Sequence, residues 1–360
     1  MISIDKLTSY CIVPLSVLAV VASNTIFGLA QHFIEFVLLL IFVALISTYK
    51  LSKSEWLLLS IFILAQIGSF FINPLPIFLV NAKQFGLAIF SLIHFRRYGF
   101  KSIFLHIIFL MCAFLVLFEN FFGSLPINIS LYLSTMSDSY GSRPLGLFLN
   151  YHYSSFFIAT YLIGYTAKRT LFLFDYYLLW IINVKTNLLS YFASKFLSLL
   201  QEKVKFLGSK FGTNLLYVVS LLIIIISVTT LLEFFRSINF GYNSVYVILY
   251  QALDPKSYID AIYIFPNDVV KHLQEKTLFD FTELDSGVVF LNHGSELGIV
   301  SFLVQGGVFL TFCYFILLFK SFKIYRVFIF FTLFHYSFIL SPFIIYIMSV
   351  FEPDDNTNNK

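Results

Sequence analysis

Runs of about twenty apolar residues recur along this chain of 360 residues. A helix needs about that many to cross the ~30 Å hydrocarbon layer of a bilayer. Such runs occupy residues 11–30, 33–49, 56–72, 77–94, 102–122, 151–167, 213–232, 294–319 and 327–350. Inside lipid a backbone must satisfy its own hydrogen bonds, which leaves helices as the way to cross. The sequence therefore predicts an all-α, polytopic bundle of about 9–11 transmembrane helices, one membrane domain over residues 1–360. The stretch 170–200 is open. Leu171–Asn183 is apolar but short and contains Asp175, and Thr186–Leu200 is amphipathic and carries Lys195. They form either two short membrane-inserted helices or one interfacial hairpin.

Composition supports the same class. Hydrophobic residues make up 59% and charged residues 12%, with a mean hydropathy of +0.87. A soluble domain is nearer a quarter charged, so a soluble enzyme, a disordered chain and a secreted disulfide scaffold are excluded. The high aromatic content accompanies abundant Ile, Asn and Lys, as in an AT-rich coding sequence, and carries no functional reading. Cys11, Cys112 and Cys313 lie in separate apolar runs, without metal-ligand spacing or a disulfide framework. The first run is too long for a signal peptide and is expected as a retained helix.

Sixteen of the 23 Lys and Arg fall on one side when the spans alternate. By the positive-inside rule that side is cytoplasmic. It includes the basic cytoplasmic or interfacial segment 168–212, of which 185–210 is expected to contact anionic lipid rather than nucleic acid. The outer side then holds a first loop at 123–150, a large loop at 233–292 with short amphipathic helices, and the C-terminus from Glu352. Nucleotide-binding motifs are absent from the sequence.

With so few charges, those outside the cytoplasmic belt are informative. Arg143 lies in Gly141-Ser-Arg-Pro-Leu-Gly146, ahead of the sixth span. Its guanidinium fork suits phosphate oxygens, and equally a lipid headgroup. Lys83 lies about 10 Å deep in the fourth span. It either faces the interior as a functional group or reaches upward to the headgroups. Arg236 either pairs with Glu233 one turn away or joins Arg143 around one anion. His293 stands where the large loop re-enters the membrane, either as a structural group or as a general base. Glu296 is its orienting partner or the base itself. Asn150 and His152 open the sixth span. Tyr242 is one of several tyrosines in the large loop, suited to sugar stacking or to an interfacial cap.

Two stretches carry a resemblance. Arg143-Pro-Leu-Gly-Leu-Phe-Leu-Asn-Tyr-His152 resembles the Arg-x-x-Gly-x-Phe signature of the O-antigen ligase and Wzy-type polysaccharide polymerase families. His293, followed by a span containing Gln305-Gly306-Gly307, resembles the His-then-Glu/Gln-x-Gly pattern that closes their large periplasmic loop. The motifs cover only a small part of the chain, and His293 is followed by Gly294 where the family often has Asn. The resemblance implies a GT-C-like glycosyltransferase of the bacterial inner membrane, with its active site facing the periplasm. It would polymerise undecaprenyl-pyrophosphate-linked repeat units into O-antigen or a related polysaccharide, without metal or other cofactor. Membrane lipid and a chain-length regulator are the partners it implies. Arg143, Arg236 and Lys83 would stabilise the departing pyrophosphate. Asn150, His152 and Tyr242 would contact substrate, and His293 or Glu296 would take the acceptor's proton. A ligase acting on lipid A-core and a lipid-linked oligosaccharide flippase are the alternatives.

Overall fold

The computed structural model describes residues 4–23, 25, 28–98, 103–123, 144–165, 173–182, 184–203, 258–269, 271–272, 298–332 and 338–352. These residues are helical, with no strand element among them. The expected span 213–232 lies outside the described residues, as do most of the two outer loops.

The chain begins with α1 (Ile4–Leu7), a π-helical turn (Thr8–Ile12) and α2 (Val13–Ser23). There follow α3 (Gly28–Ile46), α4 (Lys53–Ile72), α5 (Leu75–Phe95) and α6 (Ile103–Phe122). These four are long and apolar enough to cross a membrane. Their outward faces are apolar: Phe33, Phe36, Leu40 and Val43 of α3 are exposed, while Leu38, Phe42 and Ile46 are buried. Such a surface suits lipid and not water. The chain is thus an α-helical membrane protein.

Shorter helices fill the centre. α7 (Tyr151–Tyr165) is buried along nearly its whole length. Over the open stretch, α8 (Leu173–Ile182) and α9 (Lys185–Lys203) are two helices packed on the bundle. Lys195 of α9 was expected to meet lipid headgroups. Instead it is buried, with its ammonium 5.9 Å from the Tyr191 ring centre. The Tyr191 hydroxyl donates to Asp175 at 2.9 Å, so an acid from α8 compensates the charge that α9 brings in.

Two of the expected spans are not single helices. The run 294–319 is broken into α10 (Gly298–Gly306) and α11 (Val308–Ser321). Gly307 between them has φ +71°, where an added Cβ would lie 2.7 Å from the Ile264 carbonyl oxygen. The segment Tyr258–His272 fills the break. Its Tyr263 carbonyl accepts from Val308 N–H, and Asn267 N–H donates to the Val304 carbonyl, each at 2.7 Å. Two of the polar groups freed by the break are thereby satisfied. Asn73 and Asn81 hold the same segment through its Pro266 and Asn267 carbonyls, at 2.7 and 3.0 Å.

The run 327–350 also divides, into α12 (Arg326–Thr332), a 3-10 turn (Phe338–Leu340) and α13 (Pro342–Phe351). α13 returns toward the start of α12: the Glu352 carboxylate accepts N–H groups of Lys323 and Ile324, at 2.9 and 3.3 Å. This corrects the expected topology. Glu352 lies at the same end as Lys323 and Arg326, not the opposite one. Ser341 precedes Pro342 and is extended (φ −67°, ψ 126°). A residue before proline avoids helical geometry, so one continuous helix is not available here. Residues Phe343–Val350 are all buried, against α5 and α7. The Phe343 ring stacks on Phe157 of α7 at 5.5 Å.

Candidate functional site

A cavity of about 300 Å³ lies where these breaks meet the straight helices. Its wall takes Ser16 and Ser23 from α2, Gln31 and Glu35 from α3, and Gln84 from α5. Asn150 and Tyr153 come from the start of α7, Gln305 from the end of α10, and Ser341 and Pro342 from the start of α13. The volume is at the low end for ligand pockets. Amides and hydroxyls dominate the polar lining, so it can both donate and accept hydrogen bonds.

The α7 entrance explains part of the arginine motif. Gly146 has φ +66°, and an added Cβ would lie 2.8 Å from Ser154 Oγ. Only glycine adopts that turn without strain. The Glu119 carboxylate accepts N–H groups of Leu145 and Gly146, at 2.5 and 2.9 Å. Ser154 donates to the Leu145 carbonyl at 2.6 Å. Phe148 is fully buried, between Tyr153, Phe157 and Phe343. The Gly and Phe positions of the motif therefore anchor the turn. Asn150 then accepts Tyr153 N–H at 3.0 Å, capping α7 while it faces the cavity. The Tyr153 hydroxyl meets Ser341 Oγ at 2.8 Å, tying α7 to the start of α13.

Glu35 is held on the opposite wall. Gln31 Nε2 donates to its Oε1 at 2.7 Å, and the Lys83 ammonium donates to its Oε2. Lys83 also contacts His32 Nδ1 at 2.8 Å. Lys83 turns toward Glu35: its side chain is 16% exposed and ion-paired. The pair lets two charges sit about 10 Å inside the bundle without an uncompensated ion.

Of the other residues singled out from sequence, His152 is half-buried beside the Tyr151 ring and is not a lining residue of the cavity. Arg143, Arg236, Tyr242, His293 and Glu296 lie outside the described residues. Sequence reasoning weighed the cations and Glu296, and passed over Glu35 and Glu119. Glu35 and Glu119 each stand inside an otherwise apolar helix of about 20 residues, and an intramembrane acid is a functional-site signal. Gln31, one turn before Glu35, strengthens it.

Comparison with known protein families, curated proteins and solved structures gives no match to this chain.

Proposed function

We propose that this chain is a Wzy-type polymerase of lipid-pyrophosphate-linked oligosaccharides, a GT-C-like enzyme of the bacterial inner membrane working at its periplasmic face. One observation carries the reading. The stretches that resemble the family are far apart in sequence, yet Asn150 from one and Gln305 from the other line the same cavity. Its amides and hydroxyls are the groups that bind sugar hydroxyls. In this reading a repeat unit enters sideways between helices from its lipid carrier. Arg143 and Arg236 stabilise the charge on the pyrophosphate as it leaves.

The test is the lipopolysaccharide banding pattern of a strain lacking this chain, with and without the gene added back. A core bearing a single repeat unit, restored to a ladder by the gene, supports a polymerase. A bare core with polymerised glycan left on the carrier would instead make the chain a ligase. Within the polymerase reading, Arg143→Lys is expected to lose most elongation at normal protein level, because a point charge cannot replace a two-pronged guanidinium. Full ladders from both Arg143→Lys and Arg143→Ala would remove Arg143 from the site.

A second reading has its own support. Broken helices around a polar cavity are a feature of transporters, and the α10–α11 and α12–α13 breaks border such a cavity. A flippase for the same lipid-linked units would leave a bare core, with single units accumulating on the inner face.

A further inference from the structure

Among the described residues that line the cavity, Glu35 is the one carboxylate. Its amide and hydroxyl neighbours can hold a sugar, but they are poor proton acceptors at neutral pH. Each carboxylate oxygen has two lone pairs. Gln31 uses one on Oε1 and Lys83 uses one on Oε2. That leaves a lone pair on each oxygen for a group entering the cavity.

We propose that Glu35 is the proton acceptor in the glycosyl transfer, with Lys83 and Gln31 as positioning residues. This rests on the polymerase reading above. In the step, the acceptor sugar's O–H bond breaks and its proton passes to Glu35. The hydroxyl oxygen forms a bond to the donor's anomeric carbon. The bond from that carbon to the pyrophosphate oxygen breaks, and its electron pair leaves with the phosphate. Glu35 then gives the proton to water entering the cavity as the product leaves. Lys83 keeps the resting carboxylate compensated and fixes the direction in which its free lone pairs point. The assignment moves the base from His293 or Glu296 to a residue on α3.

The test compares genes expressed in a strain lacking this chain, reading polysaccharide chain length and the protein level in the membrane fraction. Glu35→Gln is expected to leave single repeat units at wild-type protein level, a loss on the order of 100-fold or more in elongation. The charge swap Glu35→Lys with Lys83→Glu keeps an ion pair across α3 and α5, and is expected to accumulate normally and be equally inactive. Lys83→Arg should retain long chains, whereas Lys83→Met should shorten them. Where Glu35→Gln fails to accumulate, Glu35→Gln with Lys83→Met leaves no charge to bury and carries the same expectation. Long chains from Glu35→Gln, from that double variant or from the charge swap would reduce Glu35 to a packing partner and overturn the proposal, with the polymerase reading intact. A wild-type gene that leaves the polysaccharide unchanged would overturn both.

Discussion

Glu35 and Glu55 are both acids within membrane-spanning helices, and both are paired with cations, but their surroundings differ. Glu55 is 3% exposed and receives five donors. Ser52 gives its N–H and hydroxyl, Arg97 gives both terminal nitrogens and Arg96 gives one. A carboxylate has about four lone-pair sites, so Glu55 is saturated. It closes the capping box of α4 and clamps the end of α5 to it. Nearby, His94 is held between Thr8 and Tyr49, at 2.9 and 2.7 Å, which adds the N-terminus to the same joint. Glu35 has two donors and a cavity beside it. Saturation marks a structural acid, and spare capacity next to open space marks one that can act on a ligand.

That contrast can be broken by exchanging the consequences. Glu55→Gln should cost about 3 kcal/mol of stability, near the low end for a broken buried pair, because the two guanidiniums are about a quarter exposed. Thermal unfolding in detergent checks it. Under the proposed polymerase reading, elongation per folded molecule should be unchanged, the reverse of Glu35→Gln. Equal activity losses in the two variants would erase the distinction. Gly307→Ala should cost about 1–3 kcal/mol, since its Cβ meets the Ile264 carbonyl at a positive φ. It should also loosen the cavity at Gln305, read as protease sensitivity of the 258–272 segment.

Smaller changes sharpen the comparison. Tyr153→Phe removes the hydroxyl facing Ser341 and should cost about 1 kcal/mol, visible as a lower unfolding temperature. Glu352 is a third acid, neither saturated nor beside the cavity. Burial pushes its carboxyl above the usual value, despite the two N–H donors. A raised acid in the folded state contributes stability that is present below its unfolded value and lost as pH rises through the folded one. Glu352→Gln should therefore give a small rise in unfolding temperature near neutral pH that disappears in acid below the ordinary carboxylate range. A fall at neutral pH would mean that its charge is needed at the joint with Lys323.

Much of the bundle was legible along the chain. Each of α3 to α6 falls on an apolar run, because hydrocarbon imposes one length and one polarity on any helix that crosses it. Lys83 was legible as an interior charge for the same reason. Its partner was not: Glu35 lies 48 residues away, and which helices become neighbours is not written in either helix's own pattern. Of the arginine motif, the residue types were visible, but not that Gly146 and Phe148 serve as turn and anchor for α7. Lys195 was misread as a lipid contact because its compensating acid, Asp175, belongs to another helix.

Hydropathy over twenty-residue windows, on its own, determined the class of the molecule: an all-α bundle with apolar outer faces. It could not show that residues 294–319 and 327–350 are each broken. Their apolar count is the same whether a helix runs straight through or stops and turns back. The breaks depend on groups elsewhere in the chain. Tyr263 and Asn267 satisfy the ends that Gly307 opens, and Glu352 caps Lys323 and Ile324 once α13 has returned. Tertiary structure alone decided that, and with it the cavity, because a freed backbone group in a membrane is tolerated only where another part of the protein arrives to meet it.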